Sequence, residues 1–162
     1  EIELEIQRVA ALVEQRGELG QGTPGRGLVG GGAAIRVLHD APLPPWQGKS
    51  LDEQASRLAN ECDWLEANRI LPAEVLSHSR AKAETVLRPW TPVFTHGDLH
   101  LEHVFVDDDR VSGIIDWSEA APGDALADLA SLTLGHPERL DDLLAGYGTD
   151  VDRDLIHAGE RE

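Results

Sequence analysis

A loop rich in histidine and aspartate, set between short β-branched runs, constrains the fold of this chain more than any other feature. It lies in the stretch FTHGDLHLEHVFVDDDRVSGIIDWSEAAPGD, residues 94–124. We call its segment HGDLHLEH, residues 96–103, the His-Asp loop. The runs PVFTH, HVFVDD and RVSGIID are typical of short strands, and acidic turn residues at 107–109 separate the last two. We therefore predict a small antiparallel hairpin flanking the loop.

Helical patterns account for most of the chain before this stretch. Residues 1–16 place apolar side chains at helical spacing, and Ser50 with Glu53 forms a capping box ahead of an apolar stripe. Pro72 stands at a first-turn position of a further helical segment. These signals predict a helix at each position, and the run AAIRVLHD predicts a shorter one.

The chain returns to helix after the loop. The run DALADLASLTL starts with Asp124 as a helix cap, and PERLDDLLAGYG starts with Pro137 and is expected to end at Gly146. No internal repeat is found. We expect an α+β fold class, mostly α, as one domain over residues 1–162, because this length supports a single core of ordinary size.

The segment 17–32 is predicted to be a flexible loop, because it contains eight glycines and one proline. Within it, GRGLVG matches the glycine pattern of a nucleotide-binding loop. No strand precedes the match, so glycine-rich composition alone accounts for it. The run QGKS at residues 47–50 lacks the first glycine of a phosphate-binding loop and is predicted to be a linker and a helix cap.

The charge balance limits the partners of this chain. It has 14 basic and 30 acidic residues, a formal net charge of −16. Residues 91–162 hold 17 of the acids against four arginines, so the acidity is concentrated around the His-Asp loop. We expect no nucleic acid and no membrane as partners, since an acidic surface repels both, whereas a cationic small molecule or divalent metal ions would be attracted.

Cysteine content and hydropathy point to a cytoplasmic location. Cys62 is the only cysteine, so an intrachain disulfide is excluded. No apolar run approaches the roughly 18 residues of a membrane span, and the first ten residues lack the basic start of a signal peptide. The sequence also contains no methionine, which is expected for part of a longer chain.

The His-Asp loop and the hairpin carry side chains that suit phosphoryl transfer. Such a reaction needs a carboxylate to orient or accept the proton of a hydroxyl, and metal ions held by oxygen or imidazole ligands against the phosphates. Asp98 is the candidate for the first role, and His103 and Asp116 are candidates for the second. An antiparallel hairpin would bring His103 and Asp116 to one edge. The alternative is a polar turn without chemistry.

The runs HGDLHLEH, GIIDW and GDALADLA resemble the aminoglycoside phosphotransferase family of kinase-like enzymes, over roughly residues 93–134. That family's pattern reads His-Gly-Asp, four residues, Asn, and later Ile-Asp-Trp or Ile-Asp-Phe. The resemblance implies that Asp98 is the catalytic aspartate, Asp116 a metal-binding aspartate and His96 a scaffold of the loop. It also implies Mg²⁺ as a cofactor and ATP or GTP as phosphate donor.

One position departs from the commonest family pattern, because His103 stands where asparagine is expected. A neutral imidazole nitrogen also binds divalent ions. Histidine here, with the wording IDWSEA, most resembles the macrolide phosphotransferase branch. The resemblance implies the α-rich C-terminal lobe of a kinase-like phosphotransferase, with its catalytic and metal-binding segment at residues 93–128. The acceptor implied is a small, amine-bearing molecule such as an aminosugar or a macrolide.

Further side chains support these candidates. Asp128 is expected to anchor the backbone of the loop from a buried position, and His100 to orient the loop. Glu119 is the candidate for facing a cationic substrate, with an ordinary surface acid as the alternative. Asp124 needs no role beyond capping a helix.

The family resemblance implies a β-rich nucleotide lobe with a lysine on a strand, and the sequence does not reveal one. Lys49 lies in a predicted loop and Lys82 in a predicted helix. Two other functions therefore stay open. One is a catalytically inactive, kinase-like binding protein, and the other is a metallohydrolase with a metal cluster of His96, Asp98, His100 and His103.

Overall fold

The computed structural model describes residues 26–107, 110–148 and 151–158. The helix predicted at residues 1–16 and the glycine-rich residues 17–25 lie outside this part of the chain. Within it the fold is mostly helical with two small antiparallel sheets, as the α+β class predicted from the sequence requires.

Six α-helices are present in the described residues. In chain order they are α1 Arg26–His39, α2 Leu51–Ala67, α3 Ala73–Val86, α4 Ala125–Thr133, α5 Leu140–Tyr147 and α6 Arg153–Ala158. Short 3-10 helices lie at Leu101–His103, Trp117–Glu119 and Pro137–Arg139.

Several helix ends follow the sequence signals. Pro72, however, is the N-cap of α3 rather than a first-turn residue, and Pro137 starts a 3-10 turn before α5. The predicted capping box is present at α2, where the Ser50 side chain accepts from the backbone of Glu53 and the Glu53 side chain accepts from the backbone of Ser50. Asp124 caps α4 by accepting from the backbone of Leu126 at 3.1 Å. The helix α5 ends at Tyr147 and is followed by Gly148, whose φ of 72° is left-handed, so the end predicted at Gly146 is wrong.

The predicted hairpin is present. Strand β2 (Val104–Asp107) runs antiparallel to β3 (Arg110–Ile114), with Val104 opposite Ile114 and a register shift after Phe105. The backbone N–H of Ile115 donates to the carbonyl of His103 at 3.0 Å, which continues the pairing beyond the strands. The hairpin therefore brings the end of the His-Asp loop beside the chain that leaves β3.

A second sheet pairs β1 (Val93–Thr95) with β4 (Ala121–Gly123). The run PVFTH predicted the first of these strands, whereas no sequence pattern predicted the second. The strand β4 reads Ala-Pro-Gly, which has none of the β-branched or aromatic residues that favour strands. It is extended because it pairs with β1, and the Thr95 hydroxyl donates to the carbonyl of Ala121 at 2.8 Å. This pairing holds the segment after the hairpin against the start of the His-Asp loop.

The glycine-rich segment is helical where it is described, so the prediction of a flexible loop over residues 17–32 is wrong for residues 26–32. Glycine weakens an isolated helix because its backbone loses much entropy on folding. Here it permits close contact instead. A Cβ on Gly32 would lie 2.0 Å from the carbonyl oxygen of Leu143, and one on Gly146 would lie 1.9 Å from that of Val29. The helices α1 and α5 therefore pack backbone against backbone.

The helix α1 lies at the centre of the described fold. Its side chains Ala34 and Ile35 join a core that also includes Leu99, Val111, Ile114, Leu129, Leu132, Leu140, Leu143, Leu144 and Ile156. A smaller cluster of Leu38, Phe94 and Ala120 lies beside the His-Asp loop. Among the described residues, no helix combines the length and the apolar character needed to cross a membrane.

The glycine contact can be tested with Gly32→Ala. An added methyl group overlaps the backbone of α5, so we expect a loss of about 1–3 kcal/mol in the free energy of unfolding, measured by urea denaturation. Gly31→Ala is the matched control, because a Cβ there meets only the side chain of Leu132 at 3.6 Å. We expect that variant to be neutral or more stable by up to about 1 kcal/mol. Equal stability of the two variants would contradict the close packing.

Candidate active site

A buried carboxylate fixes the backbone of the His-Asp loop. Asp128 lies in the first turn of α4 and is 1% exposed. Its Oδ2 accepts from the backbone N–H of His96 at 2.8 Å, and its Oδ1 accepts from that of Gly97 at 3.0 Å. Asp124 sets the start of α4 and so the direction in which Asp128 projects. These contacts agree with the anchoring position predicted for Asp128.

His39, the last residue of α1, completes this anchor, and the sequence analysis missed it. Its Nε2 lies 3.2 Å from Oδ2 of Asp128, and its Nδ1 lies 2.9 Å from the hydroxyl of Tyr147 on α5. The pKa of Tyr147 is raised, chiefly because burial disfavours the phenolate. Helical spacing from Ile35 puts His39 on the buried face of α1, and this periodicity is the signal that could have identified it.

His96 is fully buried and links the loop to the hairpin. Its Nε2 lies 2.9 Å from the carbonyl oxygen of Ile115, and a carbonyl only accepts, so Nε2 carries the proton. Its Nδ1 then accepts from the backbone N–H of Asp98 at 3.4 Å. Burial lowers the pKa of His96, which keeps the ring neutral at neutral pH. This geometry suits the scaffold role predicted for His96.

Asp98 is held from two sides while its carboxylate stays accessible. Its Oδ1 accepts from Nε2 of His100 at 2.9 Å, and its backbone carbonyl accepts from Nδ1 of His103 at 2.8 Å. The Asp98 side chain is 46% exposed, so Oδ2 can meet a ligand. Gly97 precedes it with a left-handed φ of 85°, and a Cβ there would lie 2.4 Å from the carbonyl oxygen of Glu119. Glycine is therefore required at this position.

His103 and Asp116 face each other across the open end of the hairpin. Nε2 of His103 lies 3.9 Å from Oδ2 of Asp116. Since Nδ1 of His103 donates to the carbonyl of Asp98, Nε2 is the ring nitrogen that faces the carboxylate. Asp116 adopts a left-handed backbone, with φ of 62°, and its Oδ1 accepts from the hydroxyl of Ser118 at 3.0 Å. The hairpin brings together the two side chains that were predicted to bind metal.

His103 and Asp116 have side chains of the kind that bind divalent metal ions. An unprotonated imidazole nitrogen and a carboxylate oxygen are both hydrogen-bond acceptors. The two groups can therefore bind the same proton or the same cation, but they cannot hydrogen-bond to each other directly. Mg²⁺ commonly takes one or two protein ligands and fills its other positions with water and substrate phosphates. His103 and Asp116 are placed to be such ligands.

The metal cluster needed for a metallohydrolase is not formed. No group of three or more His, Cys, Asp or Glu side chains arranged to hold a metal ion occurs in the described ranges. Both ring nitrogens of His96 bond to backbone groups, and His100 points to Asp98. The cluster of His96, Asp98, His100 and His103 is therefore wrong as a metal site.

A cavity of about 510 Å³ opens beside the loop, lined by Gly97, by the segment 118–124 and by residues of α2 and the linker before it. Glu119, the residue predicted to face a substrate, lies on its wall. Its carboxylate Oε2 accepts from Nζ of Lys49 at 2.8 Å. The sequence analysis missed this contact, because nothing in a linker lysine indicates a partner 70 residues away.

Three solved structures illustrate what the chain resembles. A macrolide 2'-phosphotransferase type I is 24% identical, with 87% of this chain and 53% of that chain covered and a TM-score of 0.61. The GDP complex of aminoglycoside 2'-phosphotransferase-IIIa is 20% identical, with 83% and 50% covered and a TM-score of 0.66. The gentamicin complex of APH(2")-IIa is 18% identical, with 91% and 55% covered and a TM-score of 0.62.

These similarities show a shared fold, and this chain spans about half the length of each of these structures. No protein with a curated description matched the chain. The family model described as APH, phosphotransferase enzyme family, matches residues 7–157 and so takes in the His-Asp loop, the hairpin and all described helices except the last residue of α6. By that match, and by a fold held in common with macrolide and aminoglycoside phosphotransferases, the chain belongs to the phosphotransferase enzyme family.

Proposed function

We propose that this chain is the C-terminal, acceptor-binding lobe of an enzyme that moves the γ-phosphate of ATP or GTP to a hydroxyl group. The acceptor is a small, amine-bearing molecule, such as an aminoglycoside, a macrolide or a related metabolite. One observation carries the proposal: the accessible carboxylate of Asp98 lies in the same loop as His103, which faces Asp116. Phosphoryl transfer needs a hydroxyl-orienting carboxylate beside a metal site.

Asp98 is proposed to receive the acceptor. His100 occupies Oδ1, which leaves Oδ2 to accept a hydrogen bond from the attacking hydroxyl. Oδ2 would take the proton of that hydroxyl as its oxygen bonds to the γ-phosphorus and the bond from the γ-phosphorus to the leaving nucleoside diphosphate breaks. The anchor at Asp128 fixes the backbone on both sides of Gly97, so the carboxylate is held in position before the acceptor arrives.

His103 and Asp116 are proposed to hold Mg²⁺. When bound, Mg²⁺ neutralises charge on the phosphate oxygens of the nucleotide. Nδ1 of His103 donates to the carbonyl of Asp98, so the metal ligand and the hydroxyl-orienting residue are joined by one hydrogen bond of 2.8 Å. That link keeps the transferred phosphate close to the acceptor oxygen.

The nucleotide base is proposed to lie on an exposed apolar surface beside the metal pair. Phe105 on β2 and Ile115 after β3 are 52% and 48% exposed, and Ile115 directly precedes Asp116.

The phosphates also need a cation, and neither lysine supplies it, since Lys49 pairs with Glu119 and Lys82 lies on α3. We assign that cation to a nucleotide-binding lobe of the same enzyme. The GDP complex among the neighbours supports a nucleotide donor.

The amine of the acceptor is supported by charge and by similarity. The net charge of −16 favours cationic ligands, and Glu119 lies on the wall of the cavity beside the loop. One neighbour is a gentamicin complex and another is a macrolide phosphotransferase.

We place the reaction in the cytoplasm, because the one cysteine is buried and free.

The role of Asp98 is tested with Asp98→Asn in the full-length enzyme. An amide cannot take the hydroxyl proton, so we expect kcat to fall roughly a hundredfold or more, measured by nucleotide consumption against a panel of aminoglycosides, macrolides and amino alcohols. Glu102→Gln is the control, since it removes an exposed acid from the same loop and should leave turnover within about twofold. Retained turnover in Asp98→Asn would rule out this role.

The same assay on the wild-type enzyme distinguishes an active phosphotransferase from a catalytically inactive binding protein. Nucleotide that binds without transfer to any acceptor in the panel would favour the kinase-like binding protein over the enzyme.

The metal role of His103 is tested by the Mg²⁺ concentration that gives half the maximal rate. His103→Leu removes the ligand, and we expect that concentration to rise about tenfold or more. His103→Asn keeps a donor atom and should raise it less, whereas Asp98→Asn should leave it unchanged. Folding of each variant is checked by thermal melting. An unchanged Mg²⁺ requirement in His103→Leu would contradict the metal role.

A further inference from the structure

Lys49 and Glu119 form an ion pair on the wall of the cavity beside the His-Asp loop, where we propose that the acceptor binds. The linker that carries it packs on the segment after the hairpin, since Nε1 of Trp46 donates to the carbonyl of Ala120 at 2.7 Å. Nζ of Lys49 then lies 2.8 Å from Oε2 of Glu119. Both side chains are about half exposed, at 54% for Lys49 and 51% for Glu119, so both are accessible to a ligand in the cavity.

The cavity wall is nearly balanced in charge, although the whole chain is strongly acidic. Its charged lining among the described residues consists of Lys49, Arg57, Glu61, Glu119 and Asp124. Asp124 pairs with Arg88 at 3.2 Å and caps α4, so it is engaged elsewhere. The hydrogen bond from Lys49 lowers the pKa of Glu119, and the charge of Arg57 adds to this. Glu119 is therefore an ionised carboxylate with a protein cation already on it.

Glu119 is also close to the residue that orients the hydroxyl. Gly97 packs on the Glu119 carbonyl so tightly that a Cβ would lie 2.4 Å from it, and Asp98 is the next residue. A ligand ammonium bound to Glu119 therefore lies next to the loop that carries Asp98. This placement suits an acceptor in which an amine and a hydroxyl are close together.

We propose that Lys49 determines acceptor specificity. Its ammonium group occupies on Glu119 the position that the ammonium group of the acceptor takes, and the acceptor displaces Lys49 when it binds. This inference rests on the proposed phosphotransferase function. A neutral hydroxyl compound brings no charge to replace that of Lys49, so the ion pair disfavours its binding to Glu119, whereas an amine replaces one cation by another. Exchange costs little, because an ion pair between half-exposed side chains changes an equilibrium by no more than about fivefold.

Displacement is tested directly by NMR. In the full-length enzyme labelled with ¹³C at the lysine ε-carbon, Lys49→Gln and Lys82→Gln assign the signals of the two lysines of this chain. Glucosamine and glucose are a matched pair of probes that differ by one ammonium group, and gentamicin is a second amine. We expect both amines to shift the Lys49 signal, glucose to leave it unchanged, and Lys82 to serve as the internal control.

Glu119→Gln should abolish the shift of the Lys49 signal, because the carboxylate for which the two cations compete is gone. A Lys49 signal that neither amine moves, or that glucose moves equally, would overturn the proposal.

Kinetics of the full-length enzyme provide the second test. Lys49→Gln should lower KM for an amine-bearing acceptor about two- to fivefold, since Glu119 loses its internal partner. Arg139→Gln removes the same charge from the 3-10 turn before α5, away from the cavity, and should leave KM unchanged. In a Glu119→Gln background, Lys49→Gln should have no further effect. A KM that is unchanged or raised in Lys49→Gln contradicts the competition.

The two proposals fail separately. An enzyme that transfers phosphate to no acceptor contradicts the proposed function alone, because the NMR titration measures binding and decides the role of Lys49 without turnover. Transfer to amine-bearing acceptors with an unmoved Lys49 signal contradicts the role of Lys49 alone.

Discussion

The hydrogen bonds to the Asp128 carboxylate hold the site together. A buried charge is costly unless it is fully hydrogen-bonded, and Asp128 accepts from two successive backbone N–H groups of the His-Asp loop and faces His39. Through this one side chain α4, α1 and the loop are joined, and Tyr147 on α5 extends the network. Loss of any partner would leave a buried polar group unsatisfied, so the loop conformation is tied to the packing of three helices.

The histidines of the loop divide the work around Asp98. His96 is buried and neutral and fixes the backbone of Asp98, whereas His100 occupies one carboxylate oxygen. His103 binds the Asp98 carbonyl and turns its other nitrogen towards Asp116. The outcome is a rigid backbone with an accessible carboxylate, which is the arrangement that a hydroxyl-orienting group needs. The glycine before Asp98 lets this loop lie against Glu119, so the cavity lined by Glu119 begins directly beside the loop.

Local sequence signals predicted most of the described helices and the hairpin. The glycine content, by contrast, led to a wrong prediction for the start of α1. The composition of residues 17–32 predicted a flexible loop, because glycine has little intrinsic preference for helix. The described part of that segment is nevertheless helical, since α1 and α5 approach each other so closely that only glycine fits at the contact. The same fact explains why Gly146 lies inside α5 while Gly148, with a left-handed backbone, ends it.

The sequence by itself determined the family resemblance, the capped helices, the hairpin, and the grouping of Asp98, His103 and Asp116, because these depend on residues near one another along the chain. Only the tertiary structure decided the β1 and β4 pairing and two contacts: His39 with Asp128, 89 residues apart, and Lys49 with Glu119, 70 residues apart. Such contacts have no local signature, since each arises where separate elements pack. A short motif therefore contains the functional side chains of the His-Asp loop. The hydrogen bonds that anchor the loop and the charge balance of the neighbouring cavity depend on the tertiary structure.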